Sequence, residues 1–280
     1  HTTVTVPNSK VPAYRELADS PLIESPFMGT YYLMLNTRRA PLNDVRVRHA
    51  LALSIDRETL AGSVLEHTVI PSSNYIPVGM PDYDYPPGLD YQPETARKLL
   101  AEAGYPGGRG FPSIELAYNT SENHRAVTSA IQQMWKNQLN IAVSLVNQEW
   151  KVYLDTLNTH NYDIARMGWI ADVYPGSFLD VFVTESGTNR AGFSNPRFDE
   201  IILNEARATT DRDRLMALYQ EAERLLLEDT PIIPIYTYKI KRLVQPSLEG
   251  LPANLIDRYN TRFVRLDPQA AAWQPQASAE

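Results

Sequence analysis

Runs with the two-residue period of a strand alternate with runs of helical period over most of this 280-residue chain. The strand-like runs are YYLMLN from Tyr31, SIELAYN from Ser113, IAVSLVNQ from Ile141 and YDIARMGWI from Tyr162. The clearest helix-like run covers 122–139, where Val127, Ile131 and Met134 fall on one face. Such alternation is typical of an α/β protein. We therefore predict an α/β lobe.

Capping residues and prolines set the predicted helix boundaries. The predicted starts are Asn43 or Asp44, Pro93, Trp150, Asn195 with Pro196, and Asp211, and the helix that starts at Pro93 ends at Gly104 in left-handed conformation. Residues 66–91, rich in proline and tyrosine, are predicted to be an irregular excursion. The run IIPIYTYKIKRLV from Ile232 is predicted to form a last strand pair, and the Pro- and Gln-rich tail after Asp267 to be frayed.

Composition and motifs argue against several classes of function. The net charge of −7 argues against a nucleic-acid partner, and the absence of cysteine excludes disulfides, thiolate nucleophiles and cysteine-ligated metals. The five histidines lack metal-site spacing, the GGRG turn lacks the ending of a phosphate loop, and no serine lies in a G-x-S-x-G motif. We therefore expect no metal, no cofactor and no enzymatic activity, with a hydrolase built from scattered residues as the alternative.

The segment DIARMGWIAD, residues 163–172, places charged residues in a strand that is half buried by its pattern. In a regular strand Arg166, Gly168, Ile170 and Asp172 share one face, because the side-chain period is two. Arg166 and Asp172 are then ~20 Å apart, and a leaning arginine leaves room for very roughly three to four extended peptide residues. One reading is a site for a peptide with an ammonium at one end and a carboxylate at the other. The other is that both charges pair with neighbouring side chains.

Five segments, in order, resemble the large solute-binding proteins of peptide and nickel transporters. They are NDVRVRHALALSIDRETL (43–60), ARKLLAEAGY, LAYNTSENH, NQEWKVYLDT and YDIARMGWIADVYPGSFL. The resemblance runs from about residue 14 to 266 and is strongest to the oligopeptide-binding branch, in which NQEW-K-x-x-L-D-T and ARxGWxAD are fairly specific strings. It identifies the chain as similar to a periplasmic oligopeptide-binding protein of a peptide ABC transporter, an extracellular solute-binding protein of family 5.

The resemblance implies a two-lobed periplasmic-binding-protein type II fold, of which this chain supplies the carboxyl-terminal lobe, with a mixed sheet flanked by helices. Residues 1–27 are then the remnant of the N-terminal lobe and hinge. Residues 28–257 are the ligand-binding lobe, and residues 258–280 are a return strand toward the N-terminal lobe with a frayed tail. The N-terminal lobe itself is then missing from the chain.

The resemblance also implies roles for individual residues. Asp172 matches the aspartate that pairs with the peptide's α-ammonium, and Arg166 and His124 match positions at its carboxyl end. The remaining matched residues are Trp169 and Gly168 beside the peptide backbone, Trp150 and Tyr259 as aromatic walls, and Ile170 in place of a smaller polarizable residue. Leu157 departs from the pattern, since the oligopeptide branch has an arginine there, so recognition of carboxylates or acidic side chains is expected to differ.

The function implied is that of the periplasmic binding component of an ABC importer, which binds short extended peptides and delivers them to a membrane permease. Receptors of the same fold for a dipeptide, a murein peptide, a nickel chelate or an opine are the alternatives within the family. The combination of Asp172 and Arg166 favours a zwitterionic linear peptide.

Overall fold

The computed structural model of the chain describes residues 2–3 and 5–270. Its main sheet has six strands in the order β2-β6-β1-β5-β3-β4, and a second sheet pairs β7 with β8. The strands are β1 (Leu22–Leu35), β2 (Ile70–Pro71), β3 (Ile114–Asn119), β4 (Val143–Gln148), β5 (Ile164–Ile170), β6 (Ile232–Leu243), β7 (Leu248–Glu249) and β8 (Arg265–Leu266). Because β3 runs parallel to β4 and β5 while β1 is antiparallel to β5 and β6, the sheet is mixed.

Ten α-helices accompany these strands within the described residues. They are α1 (Val11–Arg15), α2 (Val45–Leu53), α3 (Arg57–Thr59), α4 (Pro93–Glu102), α5 (Glu122–Leu139), α6 (Trp150–Asn158), α7 (Gly176–Leu179), α8 (Pro196–Glu200), α9 (Ala206–Ala208) and α10 (Arg212–Asp229). A π-helical turn, Leu60–Val64, continues α3, and another, Ile201–Glu205, joins α8 to α9. The α/β prediction is confirmed.

The helix boundaries follow from the capping residues. The side chains of Asp44, Asn195 and Asp211 accept hydrogen bonds from backbone N–H groups in the first turns of α2, α8 and α10. Each such cap satisfies a donor that has no partner inside its helix. Gly104, with φ of 100°, follows α4 in the left-handed conformation that glycine adopts without steric cost. The predicted caps are therefore confirmed.

The core lies on both faces of the main sheet. Along β1, Tyr31, Leu33 and Leu35 belong to one apolar cluster, while Tyr32 and Met34 belong to the other, as the alternation of a strand requires. The first cluster packs under α2, α4 and α5 and the second under α6, α8 and α10, because these helices turn their buried residues toward the sheet. The fold therefore has three layers, with the sheet in the middle.

Two strands differ from the prediction. The run from Ile232 forms the single strand β6 rather than a strand pair, because it stays paired with β1 from Ile232 to Leu243. The strand β1 starts at Leu22 rather than near Thr30. Its register with β6 shifts between Pro26 and Thr30, and such a bulge accommodates a proline that cannot donate a ladder hydrogen bond. The tail at 271–280 lies outside the described residues.

Candidate functional site

Arg166, the third residue of β5, holds a guanidinium group among neutral partners. Its Nη1 donates to Asn119 Oδ1 at 3.2 Å, its Nη2 donates to the Tyr238 hydroxyl at 2.9 Å, and its Cζ lies 4.7 Å from the centre of the Tyr31 ring. Its Nε is buried and has no hydrogen-bond partner among the described residues. Within the described residues no carboxylate forms an ion pair with Arg166. A largely buried charge with only neutral partners is costly, so the site favours an anion.

Gly168 allows Tyr238 to reach Arg166. A Cβ atom at position 168 would lie 2.5 Å from the Tyr238 hydroxyl oxygen, far inside contact distance. Any other residue would displace either the tyrosine or the strand. The glycine in the middle of β5 is therefore explained by a close approach from β6.

His124 lies in the first turn of α5, with its ring centre 5.6 Å from that of Tyr31. Burial, with a smaller contribution from the charge of Arg166, lowers the pKa of His124 to about 3. The imidazole is therefore neutral at neutral pH and can donate or accept a hydrogen bond. Its Nδ1 is buried, and no hydrogen-bond partner for it lies in the described part of the chain. The structure thus brings His124 and Arg166 together around one tyrosine.

The edge of β5 that faces β3 is open over its second half. Over the described residues β3 pairs with β5 only at Ile164 and Ala165, whereas β1 pairs with β5 along its whole length. The carbonyl oxygen of Arg166 accepts from the Tyr153 hydroxyl on the β3 side. Because backbone groups alternate in direction along a strand, Gly168 and Ile170 present their N–H and C=O groups on that side too. This open edge, Arg166–Ile170, can accept an extended chain.

Trp169 and Trp150 lie on the face of the sheet that is covered by α6, α8 and α10. The Trp169 ring packs against the cluster under α6, α8 and α10, and its Nε1 donates to the Ser177 carbonyl at 2.9 Å. Trp150 starts α6, is 48% exposed, and lies against Tyr153, whose hydroxyl meets the open edge of β5. Leu157, further along α6, is fully buried in the same cluster.

Asp172 follows the end of β5 instead of continuing its face. The strand ends at Ile170, where the predicted run YDIARMGWI also ends, so Asp172 lies two residues beyond the regular alternation on which a shared face depends. Its carboxylate lies 3.7 Å from Arg258 Nη1, and both side chains are more than 70% exposed. An exposed pair at this distance contributes little, ~0 to 1 kcal/mol. Asp172 is therefore free to exchange Arg258 for another cation.

Tyr259 packs against Arg242, near the end of β6. Its ring stacks on Arg242 at 4.9 Å, and Arg242 forms an ion pair with Asp257 at 2.5 Å. Arg242 pairs with Ile23 of β1, whereas Ile170 pairs with Gly29, so the two places are separated by six residues of β1 or ~20 Å. That separation applies to the backbone of Arg242, whereas Arg258, the residue before Tyr259, lies 3.7 Å from Asp172, so the segment that carries Tyr259 reaches the end of β5.

A cavity of about 670 Å³ adjoins the Arg166 group on the first face of the sheet. Ile170, Tyr236 and Tyr238 form one wall, residues 5–9 another, and Lys239 and Lys241 also line it. Ile170 is 59% exposed. The sequence analysis missed Tyr31, Asn119 and Tyr238 as partners of Arg166. The alternating tyrosines of the YTY run indicated a strand with an aromatic face, but no local pattern shows which strand lies opposite.

Two further observations concern the described residues alone. No group of three or more histidine, aspartate or glutamate side chains there is arranged to hold a metal ion. None of the helices in that part of the chain is both long and apolar enough to cross a bilayer.

Comparison with known proteins shows which protein family this chain is related to. The family model described as bacterial extracellular solute-binding proteins, family 5 Middle, matches residues 1–190. The periplasmic oligopeptide-binding protein OppA of Escherichia coli is 37% identical over 244 residues, which are 84% of this chain and 44% of that protein. The periplasmic murein peptide-binding protein MppA of the same organism is 38% identical over 242 residues, 82% of this chain and 44% of that protein.

A solved structure shows the same fold. Haemophilus influenzae OppA in complex with the peptide RPPGFSPFR superimposes with a TM-score of 0.82 at 32% identity, covering 94% of this chain and 53% of that one. The chain thus spans about half the length of the relatives it matches. From the match to the family model over 1–190 and the identity to these relatives, the chain belongs to the bacterial extracellular solute-binding proteins of family 5.

Proposed function

We propose that this chain is the carboxyl-terminal lobe of a periplasmic receptor that binds short extended peptides and delivers them to the membrane permease of an ABC importer. The observation that carries the proposal is the open edge of β5 beside Arg166, which has no carboxylate partner in the described part of the chain. An extended peptide adds to such an edge through main-chain hydrogen bonds, and a charged terminus fixes its register. Relatives named for oligopeptide and murein peptide binding support this reading.

Arg166 and His124 are proposed to meet the carboxyl end of the peptide and Asp172 its ammonium. Gly168 and Ile170 would offer backbone groups, Trp169 would lie beside the peptide, and Trp150 and Tyr259 would bound side-chain pockets. Tyr259 follows Arg258, which lies beside Asp172, so Tyr259 would bound a pocket near the ammonium end of the peptide. Binding then needs no covalent chemistry, in keeping with relatives that are named as binding proteins.

The proposed lobe boundaries are those of the sequence analysis. Residues 1–27 and 258–280 would connect 28–257 to an N-terminal lobe that supplies the other wall of the cleft. The strand β1 passes through the first boundary without a break. A closing lobe would remove the ion pairs at both peptide termini from water, which strengthens them.

Calorimetry on the two-lobed protein tests the proposal with alanine tripeptides, one with a free carboxylate and one with an amidated carboxyl end. We expect amidation to weaken binding to the wild type by roughly tenfold or more, because a charged hydrogen bond is lost. In Arg166→Gln the two peptides should bind alike. Arg109→Gln, a change at an exposed arginine outside the site, should leave the difference between the peptides unchanged.

Two outcomes would refute parts of this proposal. If Arg166→Gln still distinguishes the two peptides as strongly as the wild type does, Arg166 does not bind the carboxyl end of the peptide. If no peptide binds to the wild type, the protein is not a peptide receptor. Incubation followed by mass spectrometry addresses the alternative of a hydrolase, since a receptor returns the peptide intact. Titration of dipeptides, a murein peptide, a nickel chelate and an opine addresses the receptors of the same fold.

A further inference from the structure

Two lysines extend the site along β6 beyond Tyr238. Lys239 and Lys241 are both half-buried and both line the cavity next to Arg166. Lys239 Nζ donates to the His67 carbonyl at 3.1 Å, and Lys241 Nζ donates to Asn8 Oδ1 at 2.6 Å. Within the described residues neither ammonium lies in an ion pair with a carboxylate. Two like charges therefore face one cavity, and their hydrogen-bond partners among the described residues are neutral oxygens.

The carboxylates around this cavity do not neutralise the lysines. Glu24, which interacts with both lysines at longer range, has its two oxygens engaged by Arg15 at 2.6 and 2.7 Å. Glu66 and Glu122 line the cavity, but both are exposed and their charges are screened by water. Burial is the main cause that lowers the pKa of Lys241. The charge of Glu24 opposes this lowering in part, and the charges of Lys239 and Arg15 add to it. An anion bound between the two lysines would compensate their charges and offset the cost of burying them.

We infer that the cavity is a subsite for an acidic side chain of the bound peptide, held by Lys239 and Lys241. This inference rests on the proposed function and adds a preference to it. The volume of about 670 Å³ is ample for a Glu side chain with its water. The subsite is distinct from the partner of the peptide's carboxyl end, because Tyr238 lines the cavity and bonds to Arg166, whereas Arg166 is not among the described residues that line it.

The test is a positional scan by calorimetry on the two-lobed protein. Tetraalanine is compared with tetrapeptides that carry a single Glu, or a single isosteric Gln, at each position in turn. We expect Glu to bind roughly tenfold tighter than Gln at one position, as for a charged hydrogen bond gained. That preference should shrink with added salt and disappear in Lys239→Met/Lys241→Met, while tetraalanine binds the variant as it binds the wild type.

The controls separate the subsite from the site as a whole. Lys136→Met removes an exposed lysine at the far end of α5 and should leave the Glu preference unchanged. Lys241→Arg keeps the charge and should keep most of the preference. Circular dichroism verifies that each variant is folded, and if the double variant is not, the single variants Lys239→Met and Lys241→Met decide. Equal binding of Glu and Gln at every position would overturn the subsite alone, whereas failure of every peptide to bind would overturn the proposed function.

Discussion

Arg166 is unusual because its guanidinium group lies among a tyrosine ring, a tyrosine hydroxyl and an asparagine amide. Arg166 gains cation–π and hydrogen-bond energy from these groups, yet no described carboxylate compensates its charge. Such a group stabilises the fold less than it stabilises a complex with an anion, because only the complex supplies the opposite charge. This argument applies equally to Lys241, whose hydrogen-bond partner among the described residues is an amide oxygen.

We predict that Asp172→Asn weakens the binding of a tripeptide to the two-lobed protein by about 2 to 5 kcal/mol. An ammonium taken out of water needs a charged partner, and truncating one partner of a buried pair has a cost of that order. Calorimetry measures it, with an N-acetylated tripeptide as control because that peptide has no ammonium to lose. Unchanged affinity would leave Asp172 as an exposed residue that pairs only with Arg258.

Glu223 leads to a prediction about pH and stability. This fully buried carboxyl on α10 accepts hydrogen bonds from the backbone N–H groups of Tyr75 and Ile76 and from the Tyr83 hydroxyl. Burial nevertheless raises the pKa of Glu223 to about 7, against the lowering effect of those bonds. The folded state therefore holds its proton more tightly than the unfolded state.

The direction in which pH changes the stability follows from this difference in proton affinity. The stabilisation is fully present below the ordinary glutamate pKa near 4.5 and is lost as pH rises from there to about 7, by about 3 kcal/mol in total. Urea unfolding at several pH values measures the loss. Glu223→Gln should flatten the pH dependence in that window, while Glu221→Gln on the exposed face of the same helix should not. A variant with the same slope as the wild type would contradict the assignment.

At the scale of elements, the caps determine where helices begin. We predict that Asp211→Ala lowers the free energy of unfolding by about 1 kcal/mol, because its side chain accepts from Arg214 N at the start of the 18-residue helix α10. Urea unfolding at pH 7 measures the change. Asp211→Asn is the matched control, since the amide oxygen retains the acceptor, and an equal loss in both variants would show that charge rather than capping is responsible.

The sequence predicts the elements well where local chemistry determines them. The helix α5 has the predicted range, and β3, β4 and β5 fall within their predicted runs, because period and caps agree there. The sequence analysis did not predict the full length of β1, nor that the run from Ile232 forms one strand instead of two. Both depend on 12 residues of β6 pairing with a distant strand, and a bulge near Pro26 keeps that pairing intact. Register between strands far apart in sequence has no local signal.

In the candidate site, too, some residues could be predicted from the sequence and others could not. The unusual charge of Arg166 and the glycine at 168 are visible in the sequence, because a charge or a glycine in a strand requires an explanation. Their partners Tyr31, Asn119 and Tyr238 come from three other strands and emerge only when the sheet order is known. Asp172 lies two residues beyond the end of β5, where the alternation of a strand no longer determines the direction of a side chain.

For the whole molecule, we predict that this 280-residue chain alone binds short peptides far more weakly than the two-lobed protein. With one wall of the cleft absent, the terminal charges stay in water, and each ion pair falls toward the ~0 to 1 kcal/mol of exposed pairs. Titration of a tetrapeptide into both proteins measures the difference. Micromolar or tighter binding to the chain alone would show that a single lobe forms the site.

The open half of β5 has a consequence for the behaviour of the chain in concentrated solution. An unpaired strand edge accepts any extended segment, including the same edge of a second copy. The edge is short and ends at the exposed Ile170, so we expect weak, reversible dimers that dissociate on dilution. Sedimentation velocity over a range of concentrations measures them, and Ile170→Pro, which cannot donate from that edge, should remain monomeric. A ligand that occupies the edge would then also protect the protein from self-association during purification and storage.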